Sequence, residues 1–234
     1  MCCPATGRWF GLCMSELLID KYLALKDKYR NYDTKHALKL MQAFRYAVRH
    51  LAEKGYMVAF EMLGSINFGI VDPHSDADCI LYHYCEIHDR QSECPPNCSN
   101  LSWVKTEAIE SVRRSFQNPG FSLEILDSIN LRYLEESLSR ADFSDENEAL
   151  FRFFFYRSIG RPVNRPLVRL YFNQLLTHTE IVHKYKERAS LMLAEYLHTT
   201  SHRYSFNKYN ERILNRGLVV PEELTRELSG YLKA

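Results

Sequence analysis

LGSINFGIVDPHSDADCILY, residues 63–82, is the stretch on which the reading of this chain turns. It opens on Gly64-Ser65, crosses a loop marked by Gly69 and Pro73, and enters an apolar run that carries Asp76 and Asp78. Side chains two apart on a strand point the same way. Asp76 and Asp78 are therefore expected on one face, with Ala77, Cys79, Ile80 and Leu81 supplying a core. Two carboxylates held together repel unless a positive charge lies between them. Mg²⁺, bound by oxygen ligands and shared with substrate phosphates, is the usual answer.

Upstream, Tyr56 to Leu63 (YMVAFEML) is mostly apolar and strand-like, and runs into Gly64-Ser65 without a spacer. A glycine there lets backbone approach a ligand closely, and free N–H groups beside a hydroxyl suit phosphate oxygens. The expectation is a phosphate seat at the end of one strand and a carboxylate pair at the start of the next.

Gly64-Ser65, ten residues, then Asp76-Ala77-Asp78 resembles the signature of the DNA polymerase beta-type nucleotidyltransferase superfamily. Within it, the spacing of Gly64, Ser65, Gly69, Ser75, Asp76 and Asp78 is most similar to the minimal bacterial nucleotidyltransferases, which include the MNT antitoxins. The resemblance spans roughly residues 35–135. It implies an α+β fold with a small mixed-sheet nucleotidyltransferase core flanked by helices (34–140); the residue pattern on either side reads as an N-terminal tail and helix (1–33) and a helical C-terminal domain (141–234). It also implies Mg²⁺-dependent (or Mn²⁺-dependent) transfer of a nucleoside monophosphate from an NTP to a hydroxyl, with release of pyrophosphate. The hydroxyl would belong to a protein partner, an RNA 3′ end or a small molecule. The alternative is a catalytically inactive, nucleotide-sensing or partner-binding protein on the same fold.

By the same resemblance Gly64, Ser65 and Ser75 bind the nucleotide, and Asp76 and Asp78 hold the metal and act in catalysis. A third carboxylate is expected on the strand-like run GFSLEILDSI (120–129). Glu124 fits its apolar–acid–apolar pattern and is favoured. Asp127 is the competitor; regular alternation puts it on the face opposite Glu124, or it caps the next helix. The chain departs from the MNT pattern at Asn67 and Phe68, where those relatives often carry an arginine.

Bulk properties fit this reading without demanding it. The charged fraction of 25% and hydrophobic fraction of 46% are ordinary for a globular protein. No apolar run approaches the ~20 residues needed to cross a bilayer, and MCCPATGRWFGLC has no signal-peptide core, so no membrane partner and a cytoplasmic location are expected. Seven cysteines, an odd number without regular spacing, favour reduced thiols. Charge is uneven: residues 160–234 carry 12 Lys and Arg against 7 Asp and Glu.

Around this centre, residues 15–31 and 35–54 read as amphipathic helices. The loop 85–100 contains Cys85, His88, Cys94 and Cys98, which could be assembled into a tetrahedral zinc site. Their spacing is not that of a known zinc module, and a flexible insertion with free thiols is the expectation. Residues 101–117 read as a helix capped by Ser102, with Asn118-Pro119-Gly120 as its stop. From Glu146 onward the chain reads as all helix, with a capping box at Thr177-x-x-Glu180 and a last helix opening at Pro221. Tyr204, Phe206 and Tyr209 among His202, Arg203 and Lys208 would suit single-stranded RNA, although buried aromatics of a helical bundle are the stronger expectation. Lys184, Lys186 and Lys208 are further possible nucleotide contacts.

Overall fold

A computed structural model describes residues 17–69, 71, 75–88, 90–117, 121–144, 147–197 and 199–234. Expectations for residues 1–16, Pro73 and Asn118-Pro119-Gly120 lie outside these. The fold is a mixed α+β one. Helix α1 (Leu18–Tyr29), a 3-10 turn (Arg30–Tyr32) and α2 (Lys35–Glu53) lead into β1 (Val58–Met62), a second 3-10 turn (Gly64–Phe68) and β2 (Ala77–His83). Then come α3 (Ser99–Phe116), β3 (Leu123–Asn130), α4 (Leu131–Ser139), α5 (Glu148–Ile159) and β4 (Arg161–Val163). The chain closes with α6 (Arg165–Leu176), α7 (Thr179–Leu197), α8 (Thr200–Asn215) and α9 (Glu222–Leu232). No helix among the described residues is long and apolar enough to cross a membrane.

The four strands form one sheet in the order β3-β2-β1-β4, with β2 and β3 parallel and the other pairs antiparallel. Alternation divides its side chains between two cores. Val58, Phe60 and Met62 of β1 and Cys79 and Leu81 of β2 pack against Leu40, Phe44 and Leu51 of α2 and Val104 of α3. Ala59, Ile80, Tyr82 and Ile129 face the other way, onto α1, α4, α5 and the later helices. Helix α2 shows why such a pattern folds: its apolar residues recur every three or four positions, and Thr34 Oγ1 caps it by accepting from the Ala37 N–H at 2.9 Å.

Several local expectations are corrected. Residues 161–163, within the half read as all helix, instead pair with Phe60, Glu61 and Met62 as an edge strand. On that flank β1 has backbone groups that β2 cannot reach, and β4 pairs with them. Helix α3 begins three residues before Ser102, and its N-cap is Cys98, whose sulfur accepts from the Leu101 N–H. The cap of α4 is Asn130, not Asp127. Thr177 does not form a capping box; its hydroxyl donates back to the Gln174 carbonyl at 2.7 Å.

Candidate active site

The 3-10 turn after β1 and the start of β2 lie side by side because Leu63 N–H donates to the Asp78 carbonyl at 2.8 Å. Gly64 holds φ +67°, a conformation costly for any residue with a Cβ. A Cβ there would lie 3.7 Å from Asp78 Oδ2, so the bend and the carboxylate are in contact distance. The turn is anchored from the start of α2: Thr34 N–H donates to the Gly69 carbonyl at 2.9 Å and Thr34 Oγ1 to the Val71 carbonyl at 2.7 Å. Asp33 lies so close to Gly69 that a Cβ at 69 would collide with its carboxylate, and Arg161 pairs with that carboxylate at 2.6 Å.

Asp78 pairs in register with Glu124 across the parallel strands β2 and β3, so both project from one face. Asp76 sits just before β2 and is exposed; Asp78 is half-buried and Glu124 exposed. Burial, with the neighbouring Asp76 and Glu124 carboxylates, pushes the Asp78 carboxyl above its usual range. Among the described residues no lysine, arginine or histidine forms an ion pair with any of the three. Ser65 is half-buried on the turn, and Ser75 directly precedes Asp76.

Asp127 does not lie on the face that regular alternation gives it. A bulge sets Ile125 opposite Cys79 and Asp127 opposite Ile80, leaving Leu126 as the extra residue. The parity of β3 flips there, so Asp127 shares a face with Glu124. Arg152 and Tyr156 of α5 then occupy it: Arg152 Nη2 donates at 2.6 Å and Tyr156 Oη at 2.6 Å.

Two cavities escaped the sequence reading because their residues come from distant positions. One, of about 520 Å³, opens on the face of the sheet that Ile80 shares with Asp78 and is lined by Leu63, Ile80, Leu126, Asp127, Tyr156 and Tyr196 among others. The other, of about 600 Å³, lies between α2 and β4 and gathers Arg30, Arg45, Arg49, Arg161 and Arg165. Of the aromatics weighed for RNA, Phe206 and Tyr209 are core residues, packed among Tyr29, Phe68 and Tyr231; Tyr204 is exposed. Of the three lysines, Lys186 pairs with Asp20 at 2.8 Å, while Lys184 and Lys208 are exposed.

Comparison with protein-family models, curated proteins and solved structures found no match. The geometry of the site is therefore the basis for assigning the chain a function.

Proposed function

We propose that the chain is a nucleotidyltransferase of the DNA polymerase beta type, moving a nucleoside monophosphate from an NTP to a hydroxyl acceptor. The observation that carries this reading is the opposition of Asp78 and Glu124 beside a glycine bend at which even an added Cβ would lie 3.7 Å from Asp78 Oδ2. The donor set fits Mg²⁺ or Mn²⁺: hard carboxylate oxygens, reachable from solvent, with the charge on the central acid destabilised by burial and then by its neighbours and lacking a basic partner among the described residues. Asp76, Asp78 and Glu124 would hold the ion. When bound, the ion would neutralise negative charge on the transferring phosphoryl group.

The chain's own groups supply the rest. Gly64 and Ser65 seat the triphosphate with backbone N–H and hydroxyl donors, and Ser75 fixes the approach to Asp76. The cavity of about 520 Å³, walled by Tyr156, Tyr196 and aliphatic side chains, takes the nucleoside. The acceptor oxygen bonds to the α-phosphorus, the bond from that phosphorus to the bridging oxygen breaks, and pyrophosphate leaves. Glu124 takes the proton of the acceptor hydroxyl. Positioning and electrostatics carry most of the barrier reduction in such a displacement.

The test is incubation with Mg²⁺ and labelled ATP, CTP, GTP or UTP, with cell RNA or protein lysate as acceptor. Label transfer that disappears in Asp76→Ala and Asp78→Ala supports the reading. Nucleotide binding with no transfer to any acceptor supports a nucleotide sensor instead, and neither binding nor transfer ends the proposal.

A further inference from the structure

Residues 84–98 join β2 to α3 without a helix or strand among those described. A connection of that length inside a compact fold calls for something to hold it. Within it Cys85, His88, Cys94 and Cys98 bring three sulfurs and one ring nitrogen within 4.8 Å of one another. Cys85 Sγ and His88 Nδ1 are 3.8 Å apart. Ligand atoms about 2.3 Å from a shared ion at tetrahedral angles are separated by about 3.8 Å. The cluster is thus already close to the size of a four-coordinate metal site.

The surroundings orient these groups. All three thiols are buried and His88 is half-buried. Cys98 caps α3, so its sulfur lies at the positive end of an 18-residue helix and accepts the Leu101 N–H at 3.5 Å. Asn130, at the end of β3, clips the backbone of the other end of the cluster. Its Oδ1 accepts from Cys85 N–H at 3.1 Å, and its Nδ2 donates to the carbonyls of Cys85 at 3.0 Å and His88 at 2.9 Å. Its own N–H donates to the Ser92 carbonyl at 2.9 Å. A side chain bonded in this way to one loop fixes that loop's backbone without filling its centre.

We propose that Cys85, His88, Cys94 and Cys98 bind one Zn²⁺ in a closed structural site. Three thiolates and an imidazole in a compact tetrahedral cluster select zinc over hard cations such as Mg²⁺, and four protein ligands leave no open position for chemistry. On binding, the three thiols release their protons to solvent and the imidazole stays neutral. The ion ties the end of β2 to the start of α3, and through Asn130 to the end of β3. The site is independent of the nucleotidyl-transfer reading: Cys85 lies seven residues beyond Asp78, about 23 Å along an extended chain.

The test is elemental analysis of the full chain, expressed with zinc in the medium and purified without chelator. We expect one zinc per chain, released when a mercurial titrates the thiols, and lost in Cys94→Ser and Cys98→Ser but retained in Cys79→Ala, a buried thiol outside the cluster. Because those variants can fail to fold, exchange of the wild-type chain with Co²⁺ gives a second readout. Thiolate-to-cobalt charge transfer with the visible bands of a tetrahedral ion supports the site. Zinc no higher than in a protein lacking the cluster, or a disulfide between any two of Cys85, Cys94 and Cys98 in protein kept under reducing conditions, overturns it.

Discussion

Asp78 faces Glu124 directly across the parallel pair β2–β3. Like charges opposite one another on a sheet destabilise it by up to about 1 kcal/mol, so a fold that keeps this pair retains a local weakness. Asp78→Asn is expected to raise the unfolding midpoint of the metal-free protein slightly while lowering nucleotidyl transfer by about 10²-fold or more. Thermal unfolding and label transfer on the same preparation check it; a stability loss would mean that the carboxylate is supported by contacts other than those described.

Asp127 and Arg152 are expected to behave in the opposite sense. Asp127→Ala leaves the Arg152 guanidinium with only Glu93 and the Ser128 carbonyl and takes the acceptor from Tyr156, at a cost of roughly 1 to 3 kcal/mol. Transfer per folded molecule should persist. Urea titration with activity measured below the transition separates the two effects. Intact stability with lost transfer would shift the third acid from Glu124 to Asp127.

Substitutions at the turn should rank by what a Cβ meets. Gly64→Ala has room, and its cost is the left-handed backbone, about 1 to 2 kcal/mol. Gly69→Ala adds a collision with Asp33, which Arg161 holds in place, and should cost more. Denaturant midpoints give the order directly.

The pH dependence of stability should carry the mark of two buried charges beside β1. Glu61 meets Arg157 at 2.6 Å, yet burial outweighs the arginine and pushes its carboxyl up to about 7. Lys26 donates to the carbonyls of Ser158 and Gly160, and burial pulls it down to about 8. Between about pH 4.5 and 7 the folded chain holds a proton on Glu61 that the unfolded chain has lost, so stability falls as pH rises. Between about 8 and 10.5 the unfolded chain keeps the Lys26 proton that the folded chain has released, so stability rises with pH. Glu61→Gln should remove the first slope, worth at most about 3 kcal/mol, and Lys26→Met the second. Urea midpoints across that range decide it; an unchanged acid-side slope in Glu61→Gln refutes the assignment.

Phe206 and Tyr204 test whether the aromatics of α8 serve the core or a ligand. Phe206→Ala should cost about 3 to 5 kcal/mol, as expected for a buried ring packed on Tyr29, Phe68 and Tyr231. Tyr204→Ala, at an exposed position, should leave the midpoint within about 0.5 kcal/mol.

The elements legible in the chain alone are those with strong local periodicity. The spans of α1, α2, β1, β2 and α9 are written in apolar spacing and in Pro221, whereas a carboxylate on the strand beside Asp78 is expected from the family resemblance, the apolar–acid–apolar pattern only choosing Glu124 as that residue. The face of Asp127 did not follow, because a single bulged residue, Leu126, inverts parity beyond it and nothing in GFSLEILDSI marks where the extra residue falls. Arg161-Pro162-Val163 was too short to carry a strand pattern; its pairing depends on an open edge of β1 about a hundred residues earlier in the chain. The convergence of Cys85, His88, Cys94 and Cys98 depends on the anchor at Asn130, which no spacing rule contains.

The late arrival of the edge strand has a consequence during synthesis. All five residues of Val58–Met62 end up enclosed, and β2 covers one flank soon after it is made. The other flank waits for residues 161–163. A ribosome-bound chain grows from its N-terminus, so throughout the interval between His83 and Arg161 an apolar row of unpaired amides stands ready to join a stranger. Fragments released by stalling in that window are the forms of this polypeptide most prone to aggregate.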